Sequence, residues 1–109
     1  MEKVNVIKVG GSTLGRHDTT IEDIVTLQQQ GKRLVVVHGG AKIVTNWLSR
    51  QNIVSQFVRG ERVTDETSLD VIVAVLAGLI NKDIVADISG RGGRAIGLSG
   101  VDGTFIKGK

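Results

Sequence analysis

The chain has 109 residues, the length of one domain, and its 40% hydrophobic content with 15 glycines excludes wholesale disorder; no apolar run approaches the ~20 residues a bilayer-spanning helix needs. It has no cysteine, which removes disulfides, zinc–thiolate sites and thiol nucleophiles together. The net charge of +3 is spread along the chain and the aromatics are few (Trp47, Phe57, Phe105), so nucleic acid is not expected and a small anionic ligand suits the balance better.

The N-terminus, Met1 to Asn5, runs straight into an apolar stretch without the layout of a secretory signal, so a cytoplasmic location is expected. Val4 to Val9 (VNVIKV) reads as a buried strand, ended by Gly10-Gly11-Ser12. From Thr19-Thr20 to Gln30, Ile21, Ile24, Val25 and Leu27 recur at helical spacing, with Thr20 as expected N-cap and Gly31 at the C-terminal stop. Leu34 to Val37, followed by His38, is a second all-apolar strand, stopped by Gly39-Gly40. Ala41 to Arg50 is a second helix. Two strand–Gly-Gly–helix units in succession predict an α/β fold with a parallel sheet, and continuous apolar strands fit coverage on both faces.

Val54 to Val63 reads as a small hairpin about Gly60. Thr64-Asp65-Glu66 then opens the longest helix, to about Ile88. Leu69, Ile72, Val73, Leu76 and Ile80 form one apolar stripe, expected to cover the sheet. Val71, Val75 and Leu79 form a second, which predicts a homodimer through the helix Asp65–Ile88. Ala95 to Val101 reads as a third core strand, Asp102-Gly103 as a hairpin turn and Thr104 to Ile106 as its return arm.

Two glycine turns carry the candidate chemistry. Lys8 lies two residues before Gly10-Gly11, whose backbone N–H groups are expected at the C-terminal edge of the sheet. A fixed lysine beside such donors suits a phosphoryl group. It is neither a Walker loop nor a dinucleotide fingerprint, because the glycine and lysine spacings differ. His38-Gly39-Gly40-Ala41 repeats the device on the next strand, with a helix N-terminus behind it, and the two turns form one anion-binding rim. For His38, a ring hydrogen-bonded to backbone is favoured over general acid–base work. Arg62 suits a carboxylate, but a surface ion pair with Glu61 or Asp65 fits the local sequence equally. Asn81-Lys82, with Asp83 and Asp87, reads as a solvated helix face. No metal-ligand clustering is present.

Taken together, VIKVGGS from Val6, VVVHGGA from Val35, GERVTD from Gly60, AVLAGLINK from Ala74 and GLSGVDG from Gly97 resemble the amino-acid kinase family in motif and order, over almost the whole chain. Within it they are most similar to the members that phosphorylate the γ-carboxylate of N-acetyl-L-glutamate with ATP in arginine biosynthesis. The resemblance implies a three-layer αβα sandwich around a mainly parallel sheet, with residues 1–109 as a single substrate-binding lobe. It implies Lys8 at the transferring phosphoryl group, Gly10, Gly11 and Gly39 along the phosphate path, Gly40 and Ala41 holding the acyl-amino acid by backbone, and Arg62 binding its α-carboxylate. Ala41 stands where the family usually has a third glycine. Family members are longer. The second half would carry the nucleotide pocket, so ATP with Mg2+ is the expected co-substrate of the full-length enzyme, with none bound by this chain alone and the fragment inactive. The related kinase of carrier-linked aminoadipate in lysine biosynthesis, and a non-catalytic small-anion-binding or assembly module, are the alternatives.

Overall fold

A computed structural model describes residues 3–10, 19–54, 56–104 and 106. Strand β1 (Val4–Val9) and strand β2 (Arg33–His38) pair in parallel, with Val4 opposite Arg33 and Val9 opposite His38. Helix α1 (Thr20–Gln29) connects them and helix α2 (Ala41–Arg50) follows β2. This is the strand–turn–helix order read from the sequence, and it gives a mixed α/β fold. The N-cap of α1 is Thr19 rather than Thr20: its hydroxyl donates to Asp23 at 3.1 Å.

Alternation along the strands puts Ile7, Val9, Leu34, Val36 and His38 on one face of the sheet. That face meets a core of Val9, Ile24, Val25, Val44, Leu48, Val75, Ile80, Ile84 and Ile88, within which Val44 and Leu48 are fully enclosed. The opposite face carries Val4, Val6, Lys8, Val35 and Val37 and is bare among the described residues, with Val6 69% exposed. The strands are therefore apolar on both faces, as read, while only one face is covered here.

A short antiparallel hairpin follows, strand β3 (Gln56–Val58) against strand β4 (Glu61–Val63), turning at Arg59-Gly60 as expected. The long helix is present but has three parts: α3 (Glu66–Val73), a π-helical segment (Ala74–Ile80) and α4 (Asn81–Gly90). The i→i+5 bonding of the π segment changes which side chains face inward. Val75, read as surplus, is buried in the core, while Leu69 and Val73, read as covering the sheet, are about half exposed. The two stripes thus exchange members, and the surplus apolar surface of this helix is Leu69, Val73 and Leu79.

Ala95 to Val101 is not a strand. It pairs with no strand among the described residues, and Ile96 and Val101 are more than 80% exposed. Asp102–Thr104 is a 3-10 turn rather than a β-hairpin turn, held by Ser99 N–H donating to the Asp102 carboxylate at 2.7 Å. That bond holds the Asp102 carboxyl below its ordinary range, with the Ser99 hydroxyl and Lys82 adding to it. Of the expected return strand Thr104 to Ile106, the described residues Thr104 and Ile106 pair with no strand, Ile106 N–H reaches back to Gly100 C=O, and Phe105 lies outside the described residues.

Asp65 caps α3. Its carboxylate accepts from Ser68 N–H at 2.8 Å, and Ser68 Oγ accepts from Asp65 N–H at 3.3 Å. The Ser68 backbone bond, then the Ser68 hydroxyl bond, hold the Asp65 carboxyl below its ordinary value. A carboxyl depressed in the folded state stabilises the fold above its ordinary range and loses that contribution as pH falls through the folded value. Asp65→Ala accordingly lowers Tm at neutral pH, and the gap from the unsubstituted chain narrows as the pH is taken below the carboxylate range. Thermal melts across that range check it, and a gap constant with pH would contradict it.

Candidate functional site

The ends of β1 and β2 lie side by side, because Val9 and His38 are register partners and Gly39 N–H donates to Val9 C=O at 3.4 Å. Gly10 and the Gly39-Gly40 turn therefore lie at the C-terminal edge of the sheet, where ligands bind in open α/β folds. Gly10 is at that edge, exposed, and Gly11 lies outside the described residues. Lys8 stands one residue back from Val9, on the bare face of the sheet, opposite Val37. Lys8 and His38 thus rise on opposite faces of the same edge.

Gly40 caps α2, and the helix has no side-chain cap. Its N–H and that of Ala41 have no acceptor among the described residues, as the first donors of a helix do not. Gly40 is buried with φ of +143°, and a Cβ there would collide with Ile80 Cδ1. Ile80 is 3% exposed, so its terminal methyl has little room to move. Gly40→Ala therefore combines left-handed backbone strain with overpacking, each about 1–3 kcal/mol. Thermal unfolding of Gly40→Ala alone and with Ile80→Val separates them. The double variant regains the packing part by removing Cδ1 and keeps the backbone part. No recovery would show that the collision is not the cause.

Arg62, on β4, reaches across to the same helix start. Its Nη2 donates to Ala41 C=O at 2.9 Å and to Thr45 Oγ1 at 2.8 Å, and its guanidinium lies 4.8 Å over the Phe57 ring. The hairpin β3–β4 serves to carry this arginine, since Phe57 and Arg62 are register partners. A guanidinium is a planar fork of five N–H donors, whose geometry matches a carboxylate. The structure thus brings Gly39, Gly40, Ala41 and Arg62 together and leaves Lys8 on the far face of the shared edge. Among the described residues no three His, Asp or Glu side chains gather as a metal site. Arg91 pairs with Asp87 at 2.9 Å and Glu22 at 2.8 Å, and the Asp87 bond chiefly raises its pKa. No described helix is long and apolar enough to cross a membrane.

Thr45, Phe57 and Asn81 are not among the residues the sequence points to. Asn81, read as solvated, is 8% exposed. Its Nδ2 lies 3.2 Å from His38 Nε2 and donates to Leu98 C=O at 3.3 Å, while Lys82 Nζ donates to Asn81 Oδ1 at 3.1 Å and to Gly97 C=O at 3.1 Å. A side chain at Gly97 would collide with Asn81 Oδ1, so that glycine permits the contact. The signal available in the sequence was an amide following an unbroken apolar run, Ala74 to Ile80. The expected His38 contact with backbone is present, Nδ1 lying 3.0 Å from Gly39 C=O.

Residues 3–109 match the amino acid kinase family. An acetylglutamate kinase of Dehalococcoides mccartyi is 49% identical over 104 residues, 95% of this chain and 38% of that protein. An acetylglutamate kinase of Thiobacillus denitrificans is 47% identical over 111 residues, 99% of this chain and 38% of that protein. Among solved structures, smu.665 from Streptococcus mutans UA159 superposes with a TM-score of 0.76 at 26% identity, covering 84% of this chain and 38% of that one. The N-acetylglutamate synthase from Neisseria gonorrhoeae, complexed with coenzyme A and N-acetyl-glutamate, gives 0.66 at 31% identity, covering 82% and 21%. These neighbours support an αβα arrangement for the fold. The chain spans 38% of the length of these curated relatives.

Proposed function

The chain belongs to the amino acid kinase family, and from that premise we propose that it is the acyl-amino-acid-binding lobe of an enzyme that phosphorylates the γ-carboxylate of N-acetyl-L-glutamate. The observation that supports this best is the convergence of the Gly40 and Ala41 N–H groups, which have no acceptor among the described residues, with the Arg62 guanidinium at one end of α2. One fixed cation and a pair of backbone donors suit a ligand with a carboxylate at one end and a second oxygen acceptor at the other. Arg62 takes the α-carboxylate, and the Gly40–Ala41 turn takes the acyl-amino part. In the transfer, a γ-carboxylate oxygen bonds to the terminal phosphorus of ATP and the bond to ADP breaks, leaving an acyl phosphate. Lys8 offsets the charge on the transferring phosphoryl group, with Gly10, Gly11 and Gly39 along its path. ATP, with Mg2+ on its phosphates, is a co-substrate held by parts outside residues 1–109, so this chain alone binds the acyl-amino acid without turning it over.

The test is ATP-dependent acyl-phosphate formation, trapped as the hydroxamate. It is expected with N-acetyl-L-glutamate in a full-length context and not with residues 1–109 alone. Turnover only with a carrier-linked aminoadipate, or with neither compound, would overturn the substrate assignment.

Self-association through the helix Asp65–Ile88 belongs to the same reading, now resting on Leu69, Val73 and Leu79, which are 47%, 53% and 38% exposed. Light scattering is expected to show a dimer that Val73→Asp disperses, whereas Val75→Asp unfolds the chain because Val75 is in the core. A monomer at micromolar concentration would contradict the dimer.

A further inference from the structure

We propose that Asn81 is a positioning residue: it locks His38 into one tautomer, and through that ring it orients the Gly39–Gly40 peptide that faces the acyl-amino acid. The proposal rests on the substrate site described above and adds residues to it that no ligand need touch.

The partners of the ring and of the amide assign the donor and acceptor roles. Asn81 Oδ1 accepts from the Lys82 ammonium, and Asn81 Nδ2 donates to Leu98 C=O. Exchanging the two amide atoms would set Nδ2 against an ammonium and Oδ1 against a carbonyl, so the amide has one orientation. Nδ2 is then a donor toward His38 Nε2 at 3.2 Å, and Nε2 must offer its lone pair. At the other side of the ring, Gly39 C=O can only accept, so Nδ1, 3.0 Å away, must carry the proton. Both contacts demand the same neutral Nδ1–H tautomer. A doubly protonated ring would place Nε2–H against the Asn81 amide hydrogens.

The chain of consequences runs into the site. No peptide bond among the described residues is cis, so in the trans plane joining Gly39 to Gly40 the carbonyl and the N–H point in opposite directions. Holding Gly39 C=O toward His38 turns Gly40 N–H away from the ring, as a free donor. The two glycines have no side chains to fix that plane themselves, and Gly40 sits at a φ only glycine adopts readily. The π-helical segment supplies the last link, because it ends at Ile80, immediately before Asn81. A π turn in a long helix is uncommon and often marks a functional position. The same amide holds Leu98 C=O, so the segment after the helix is tied to the turn as well.

The experiment is nuclear magnetic resonance of the 15N-labelled chain, using long-range imidazole correlations at pH 8, with His17→Gln to assign the second histidine. His38 is expected to show a protonated Nδ1 and a bare Nε2. Asn81→Ala is expected to leave the ring in a mixture of tautomers, to shift the Gly40 amide, and to raise the Kd for N-acetyl-L-glutamate about tenfold. Asn81→Asp, nearly the same shape, replaces the donor by an acceptor and is expected to favour protonation of both ring nitrogens, while His38→Ala removes the difference between the Asn81 variants in the Gly40 amide. An Nε2–H tautomer in the unsubstituted chain would overturn the proposal, as would an Asn81→Ala ring and Gly40 amide unchanged from it. If N-acetyl-L-glutamate binds neither form, the substrate reading fails by itself, and the ring and the Gly40 amide still decide the role of Asn81. If the ligand binds both forms equally, the substrate reading stands and the positioning role fails.

Discussion

Lys8→Ala in a full-length context is expected to lower kcat by about 10²-fold while leaving KM for the acyl-amino acid nearly unchanged, the loss seen when one preorganised charge-stabilising donor is removed. The position of the lysine is the reason. It sits on β1, one residue before the last, exposed, and on the face of the sheet away from His38 and the helix core. The residues assigned to the acyl-amino acid gather around Ala41, at the end of the neighbouring strand. A charge on the other face of the edge has little to give the bound substrate and much to give a phosphoryl group passing along that edge. Interactions realised only in the transition state raise kcat and leave substrate affinity alone. Steady-state kinetics in both substrates check this, with Lys8→Arg keeping the charge but not the geometry. A variant whose KM rises while kcat holds would move Lys8 into the substrate site.

Arg62→Ala is expected to show the reverse pattern, raising KM for the acyl-amino acid about 10²-fold with a smaller change in kcat. The loss of a hydrogen bond to a charged group is worth about 1.5–3 kcal/mol, and 10²-fold corresponds to ~2.7 kcal/mol. Arg62 is half-buried and fixed at Ala41, Thr45 and Phe57 before any ligand arrives, so little ordering cost is left for binding. Arg62→Lys falls between, because an ammonium keeps the charge and loses the fork. Thr45→Val and Phe57→Leu each remove one of the three contacts that fix the guanidinium, and each is expected to weaken binding less than Arg62→Ala. The same kinetic pattern for Lys8 and Arg62 variants would contradict the division of roles between the two strand ends.

The parts of this molecule legible in its sequence are those that local chemistry decides. VNVIKV and LVVVH form strands because β-branched runs suit a pleated, buried surface, and Gly-Gly ends both. Ala41 to Arg50 is legible as a helix because Gly40 and the apolar spacing mark its bounds. Ala95 to Val101 has the same composition as a strand and is not one, since a strand exists only through a neighbour's ladder and none of the described residues provides it. The exchange of Val75 with Leu69 and Val73 has another origin. A π segment moves the inward face by a fraction of a turn, and nothing in AVLAGLI announces it. Lys8, Gly40, Ala41 and Arg62 were identifiable as candidates through their motifs. Thr45, Phe57 and Asn81 were not, because their relevance lies in contacts 17 residues or more along the chain, or across a hairpin.

The most direct measurement of the central claim is a titration of the 15N-labelled 109-residue chain with N-acetyl-L-glutamate, followed at every backbone amide and at the arginine Nε groups. The account predicts saturable shifts at Gly39, Gly40 and Ala41 and at Arg62 Nε, with sodium sulfate at equal ionic strength producing none of the same size. Saturable shifts confined to other residues, or shifts at these positions that sulfate reproduces in full, would contradict it.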